Sequence, residues 1–413
     1  MVEPSSNASL SAIQEWQRHW VLPLVAALGY ATSVLYIYSM GPFIEPIQQA
    51  FGWSRAQISF GITITAAGTA LFVVPVGALI DRFGPRRIGL IGVVAACLAV
   101  ALLGTATGSD LNWVVIWCVM AAATILVQAT VWTSAVNSRF HASRGMALAL
   151  TLSGASFAAA VFPVAASWLI GELGWRHAYF VMAGGWGLTA VPLIFWFFRG
   201  AADLRADPTE PARRLTGISV QQGIRSPVLY KLVIAGGLFA FTVIGLMVHF
   251  VPILTDGGVE PIEAAGIAGL IGVFSLVGRV GTGLLLDRLP AHRVGAAVFL
   301  LPLFGSLILL SDSADAATLA CAAALIGLTL GSEVDVIAYL SARYFGLLNY
   351  GTLYGAVTAS LCAGTALGPL MAGWVFDVNG DYQRFLWLVC AMTVIASVML
   401  LSLARAQPFD HAV

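Results

Sequence analysis

Three kinds of ionisable side chain stand inside otherwise apolar runs of this sequence. Arg279 lies in the run 262–286, Glu333 and Asp335 in the run 315–342, and His249 in the run 228–254. A charge held in hydrocarbon costs at least ~2.5–3.5 kcal/mol, so it must face water, an anion or a partner of opposite sign. A guanidinium suits a carboxylate, which it grips with two parallel N–H bonds. Gly272, Ser275, Arg279 and Gly283 fall near one helical face, and Gly278 and Gly281 thin the helix beside the arginine. Two readings of Arg279 follow: an anchor for an anionic ligand, which we favour, or a structural ion pair with an acid on another helix.

Glu333 and Asp335 are two residues apart, roughly 200° around a helix, so both cannot line one cavity. Asp335 shares its face with Tyr339. Either acid is a candidate proton carrier, or one belongs to a structural pair. His249 is a packing residue or, placed in a cavity opposite Arg279, a hydrogen-bonding group or proton carrier. No second ligand is spaced with it for a metal. Tyr36, with Tyr30, Tyr38, Thr32 and Ser33, and Gln128 and Thr133, with Thr130, Ser134 and Asn137, provide hydroxyls and an amide. Such groups suit a cavity that orients an organic anion, although tyrosines near helix ends also anchor at interfaces. The expected substrate-binding set is Arg279, His249, Tyr36, Gln128, Thr133 and Tyr339. Glu333, Asp335 and His249 are the proton-coupling candidates.

The elements that must carry these groups follow from composition. The 413 residues are 59% hydrophobic and only 10% charged, with mean hydropathy +0.89. A soluble domain carries roughly 25% charge. Lipid solvates the missing polar surface. Twelve apolar runs are long enough to span a bilayer, which takes about 20 residues: 20–44, 57–80, 88–106, 112–136, 145–171, 177–198, 228–254, 262–286, 294–311, 315–342, 351–376 and 384–404. Barrel strands would be short and alternating. The expected fold is therefore an all-α polytopic membrane protein with twelve transmembrane helices in two six-helix bundles. The first run is too long for a signal-peptide core, so no cleavage is expected.

With the N-terminus inside, most of the 20 basic residues fall on the cytoplasmic side, and only Arg55, Arg176 and Arg384 fall outside. Both termini are therefore expected in the cytoplasm. The polar stretch from Arg199 to Pro227 reads as a linker, which divides the chain into 1–198, 199–227 and 228–413. The net charge of +0 points away from nucleic acid. The five cysteines lie in apolar runs and read as small core residues, without disulfide or metal spacing.

The two parts repeat each other. Gly77-Ala78-Leu79-Ile80-Asp81-Arg82 recurs as Gly283-Leu284-Leu285-Leu286-Asp287-Arg288, 206 residues later, and Pro163 recurs as Pro369 at the same offset. Arg139-Phe140 and Arg343-Tyr344 lie 204 apart. Duplicated bundles suit a carrier that rocks about a site at mid-membrane.

Gly77-x-x-x-Asp81-Arg82-x-Gly84-x-Arg86-Arg87 resembles the signature between spans 2 and 3 of the major facilitator superfamily at every named position. The resemblance implies that these residues, with Asp287 and Arg288 in the second copy, latch the halves on the inner side in the outward-open state. Arg139-Phe140-x-x-x-Arg144-Gly145-x-Ala147-x-Ala149 is similar to the entry to span 5 in the monocarboxylate porter branch. Phe51-Gly52-Trp53-Ser54-Arg55, Arg343-Tyr344-Phe345-Gly346 and Gly368-Pro369 also resemble bacterial members of that branch. In that branch an arginine of span 8 binds the substrate carboxylate, and Arg279 occupies the matching place. Several members carry an Asp four residues before it. Here that residue is Ser275, so proton coupling is not expected to run through span 8 alone.

The expected function is secondary transport of a small organic anion, a monocarboxylate, by alternating access with proton symport. The alternatives are efflux of amphipathic compounds and a non-transporting receptor. The chain's single lysine, Lys231, belongs to no phosphate-binding loop, and neither His-Glu-x-x-His nor Gly-x-Ser-x-Gly occurs. ATP-driven pumping and intramembrane catalysis are thus not expected. No cofactor and no metal are expected. The expected partners are the organic anion, protons and the lipid bilayer. The chain is expected to act as a monomer in a bacterial inner membrane.

Overall fold

The computed structural model describes residues 11–140, 142–199, 217–286, 288–311, 315–346 and 348–403. Most of the expected linker, residues 200–216, lies outside the described residues, as do Asp287 and the side chains of Asp81 and Glu333.

A short helix, α1 (Ala12–His19), opens the described chain behind a capping box in which Ser11 and Gln14 satisfy each other's backbone N–H. α2 (Val21–Phe51) then ends at Gly52, whose φ of 68° closes it. α3 (Arg55–Phe83) starts on the Ser54 cap, and α4 (Pro85–Leu103) starts on a proline whose missing N–H needs no partner there. α5 (Asp110–Asn137) is interrupted by a 3-10 turn, Ile125–Val127, and by extended Gln128. The freed Val127 carbonyl accepts the Trp132 indole N–H at 2.8 Å. The stretch Arg144–Phe197 is two helices, α6 (144–173) and α7 (175–197), because Gly174 takes φ 75° and ψ 159° between them. Only glycine adopts such angles without strain.

Another short helix, α8 (Val220–Arg225), precedes the second set. That set comprises α9 (Pro227–Asp256), α10 (Pro261–Leu286), α11 (Ala291–Leu309), α12 (Ala316–Phe345), α13 (Tyr350–Asn379) and α14 (Gln383–Leu401). Ten described stretches are long and apolar enough to cross a membrane. The 54-residue one counts twice across Gly174, and the 29-residue α3 completes twelve.

Leu71, Leu98, Leu188 and Trp196 are exposed where a soluble protein would place charge, as a lipid-facing surface requires. The cysteine reading needs correction in part. Cys97 and Cys390 are buried, but Cys118 and Cys321 are exposed on that apolar surface, where a thiol costs lipid nothing.

The two sets touch along α3 with α13 and α6 with α10. Gly272 of α10 sits so close to α6 that a Cβ would strike the Ala160 backbone, and next to it Ser156 and Ser275 share a hydrogen bond of 2.9 Å. Thr63 of α3 donates to the Ala366 carbonyl of α13 at 2.6 Å. These contacts lie toward the end of the bundle marked by Arg55, called here the latch end. The opposite end carries Arg82, Arg86, Arg87, Arg288 and Arg343, and is called the basic end.

Candidate functional site

Arg279 is 8% exposed on α10. Its Nη1 donates to both carboxylate oxygens of Asp335 on α12, each at 3.2 Å. The pair lies within the second set of helices. Two neighbouring contacts position it: the Thr282 and Ser332 hydroxyls lie 2.6 Å apart, and Ser332 donates to the Gly278 carbonyl at 3.1 Å. Gly278 makes this approach possible, because a Cβ there would meet the Leu328 backbone. The space expected beside the arginine at Gly278 is therefore filled by α12, while Gly281 faces open space. Ser275, one turn away, faces α6 and bonds to Ser156. The contacts to Asp335 leave Arg279 incompletely used, since its Nε is buried and has no hydrogen-bond partner. A buried guanidinium with an idle donor can take a further acceptor at little reorganisation cost.

A cavity of about 200 Å³ lies between the halves. Tyr30, Ser33, Tyr36, Thr69 and Gln128 line it from the first half, and Ile244, Cys362 and Thr365 from the second. Two of the residues expected at a substrate site, Tyr36 and Gln128, therefore meet there. Tyr36 is held edge-on against Trp117 at 5.9 Å between centroids. Gln128 reaches the cavity because the break in α5 falls at that residue. Thr133 lies beyond the break and donates to the Ala129 carbonyl at 2.9 Å. Tyr339 is elsewhere: its hydroxyl accepts from Arg343 at 2.9 Å, and it lines a groove with Arg288, His292 and Tyr344 at the basic end.

His249 is not opposite Arg279. It is wholly buried near the latch end, with Nε2 2.9 Å from the Pro369 carbonyl and 3.1 Å from Ser59 Oγ, and Nδ1 2.8 Å from the Tyr382 hydroxyl. A carbonyl can only accept, so Nε2 holds the hydrogen and Nδ1 accepts from Tyr382. Both nitrogens are engaged.

Tyr382 leads to a cluster that sequence reasoning missed. Arg55, 4% exposed, donates to Asp256 from Nη1 at 2.6 Å and from Nη2 at 2.9 Å. It also donates to Tyr382 at 2.8 Å and to Gln48 at 3.2 Å. Its guanidinium lies 3.6 Å over the Phe376 ring. Asp377 of α13 accepts the N–H groups of Arg55 and Ala56 at 2.8 and 2.9 Å, and so caps α3 from the other half. One signal could have found it: Arg55 is among the few basic residues on the sparsely charged side.

At the basic end Arg86, half-buried, donates to the Phe195 carbonyl at 2.6 Å, and Arg82 lies 5.3 Å from the Phe83 ring centroid. Arg87 is exposed, and Gly84 ends α3 with φ 82°.

The sequence matches the profile of the Major Facilitator Superfamily over residues 26–345. A monocarboxylate transporter 13 of Bos taurus is 26% identical over 93% of this chain and 89% of its own length. A chloramphenicol resistance protein of Streptomyces lividans is 27% identical over 85% of this chain and 91% of its own. The crystal structure of a bacterial homolog of the human lysosomal transporter Spinster, inward-facing and occupied, superposes with TM-score 0.72 at 17% identity. It covers 95% of this chain and 98% of that one, and shows the likeness of fold.

Proposed function

The chain belongs to the major facilitator superfamily and is a multi-pass membrane transporter, and from that premise we propose that it carries a small monocarboxylate together with a proton. The observation that carries this reading is the Arg279–Asp335 pair with its idle Nε. Empty, the pair is neutral. A substrate carboxylate arriving at Arg279 adds a negative charge in a poorly solvated site, at a cost of several kcal/mol. Protonation of Asp335 removes that charge and releases Nη1 to the substrate. The loaded site is then neutral as well. Both neutral states can pass through the closed intermediate, whereas either ligand alone leaves a charge behind. Asp335 thus takes the part that Ser275 cannot.

Neither Arg279 nor Asp335 lines the cavity bounded by Tyr36 and Gln128, and in the proposed reading that cavity takes the uncharged part of the substrate on its way between the halves. The cavity's size, about 200 Å³, is below the roughly 300–1,000 Å³ of sites for drug-sized ligands. That supports a small solute over efflux of amphipathic compounds, the reading suggested by the name of the Streptomyces relative. The positive-inside rule supports a cytoplasmic basic end and cytoplasmic termini, and a bacterial inner membrane belongs to the same proposal. In that orientation the closed latch end faces the outside. The domain division at residues 199–227, a gating role for the Asp81 and Asp287 motifs, and action as a monomer belong to the same reading.

The test is uptake of labelled monocarboxylates into proteoliposomes with an acid exterior. Accumulation that a protonophore abolishes is the expected result. Uptake that ignores the pH gradient removes the proton. Thermal stabilisation by carboxylates without any flux favours the receptor reading.

A further inference from the structure

The short helices α1 and α8 share one design. Ser11 and Gln14 form a capping box at the start of α1, and Ser219 and Gln222 form another at the start of α8, 208 residues later. The duplication therefore extends beyond the spans into the segment before each bundle. Each short helix leads directly into the first long helix of its half, α2 or α9. Each segment is also fastened to the loop before the fifth long helix of its half, through Glu15 of α1 to the start of α6 and through Gly217 and Ile218, just before α8, to Phe345, Gly346 and Asn349 ahead of α13.

In the first half the fastening is Glu15, only 2% exposed. Its carboxylate accepts the Ala142 N–H at 2.9 Å, the Ser143 N–H at 3.0 Å and the Ser143 hydroxyl at 2.8 Å. The N-cap residue of α6, Ser143, makes no side-chain cap of its own, so Glu15 supplies the cap from another helix. Trp16 packs on Phe140 at 5.2 Å between centroids. In the second half Gly217 pairs with Gly346, the Ile218 N–H donates to the Phe345 carbonyl at 3.0 Å, and Asn349 Nδ2 donates to the Ile218 carbonyl at 2.8 Å. The N-cap residue of α13, Asn349, likewise makes no cap. The two helices so fastened, α6 and α13, are those that meet the opposite half through Ser156 and Thr63.

We propose that Glu15 is a positioning residue for transport: it ties the start of α2 to the start of α6, so that the two move as one body when the basic end opens and closes, and residues 217–225 do the same for α9 and α13. A carboxylate at a helix start is stabilised by the unpaired N–H groups there. The inference rests on the transport reading for its kinetic test, but the tie itself can be measured without flux.

The experiment uses the full chain in proteoliposomes with Glu15→Ala, Glu15→Gln and, in the second strap, Asn349→Ala. With Glu15→Ala the maximal rate should fall roughly 3- to 10-fold, about what one lost helix cap is worth, while KM stays within about twofold. Glu15→Gln keeps one acceptor oxygen and should fall between that variant and the wild type. In parallel, reporter cysteines at the basic end and the latch end are labelled with a maleimide. Glu15→Ala should change the ratio of the two labelling rates even if no substrate is ever transported, which separates this proposal from the transport reading. Should Glu15→Ala fail to fold, Ser143→Ala removes only the hydroxyl bond and should give a smaller change of the same sign. Unchanged labelling and unchanged rates in the folded variants overturn the proposal. So does a loss confined to substrate affinity, since a tie between helices has no reason to alter recognition.

Discussion

Two buried arginines each hold an aspartate, and they are built differently. Arg55 uses both terminal nitrogens on Asp256, at 2.6 and 2.9 Å, its Nε on Gln48, and its face on Phe376. Arg279 offers one nitrogen to Asp335 at 3.2 Å, leaves Nε idle, and has no aromatic ring beneath it among the described residues. Arg55 joins the two halves of the molecule, whereas Arg279 and Asp335 belong to the same half. A well-bonded pair across the boundary between the halves suits a lock. An unsaturated pair inside one rigid body is a place where one anion can exchange for another. In the proposed reading the same residue types serve two purposes, and what separates them is the number of donors left over.

The largest effect should come from Arg279. Arg279→Ala should weaken carboxylate binding about 30-fold or more, the cost of a lost charge-assisted contact. Arg279→Lys keeps the charge without the planar fork and should lose only part. Binding to the folded proteins by thermal shift is the measurement, and normal affinity in Arg279→Ala would end the comparison at its functional side. Next, Asp335→Asn should abolish proton-driven accumulation while substrate exchange continues. One pH unit sustains about a tenfold gradient in a one-proton symporter, and the variant should reach none of it. A variant that still concentrates substrate tenfold places the proton elsewhere.

Breaking the lock should act on the conformational balance instead. Arg55→Gln should shift the ratio of inward- to outward-facing molecules about fivefold, ~1 kcal/mol, with the binding constant of the inward state unchanged. Distances between spin labels across the latch end report it. An unaltered distribution removes Arg55 from the gate. The smallest effect on transport is expected at His249. His249→Asn leaves Tyr382 or the Pro369 carbonyl without its partner and should cost about 1–3 kcal/mol of stability, read as a lower melting temperature. Proton-driven uptake per folded molecule should be unchanged. If it is lost, His249 is a proton carrier and not part of the lock.

Much of the architecture was legible because lipid imposes a simple rule. A span must be long, apolar and helical, so Trp20, Pro227 and Gln383 sit near span starts whatever the rest of the chain does. The break between α6 and α7 was legible as a gap between two runs, although the helix passes it with only one residue, Gly174, out of register. Arg279 was legible as well, since an arginine in hydrocarbon always needs an explanation.

Its partner was not. Glu333 and Asp335 were equivalent in sequence, and the choice rests on which side of α12 faces α10. The Arg55 cluster was less legible still. Arg55 and Asp256 are 201 residues apart, and Arg55 and Tyr382 are 327 apart. Each sits at the end of an apolar run, where a charge costs little and signals nothing. His249 shows the converse, a lone residue whose surroundings, Ser59, Pro369 and Tyr382, come from three distant segments.

The sequence by itself determined the membrane, the helices, the duplication and the presence of a cation that must be answered. Those follow from solvation, which each residue meets one at a time. Only the tertiary structure decided which acid answers Arg279, that His249 is closed in beside the Arg55–Asp256 pair, and that Glu15 caps the start of α6. Those are questions of direction and distance between helices, and hydropathy, which has no direction across a helix pair, does not contain them.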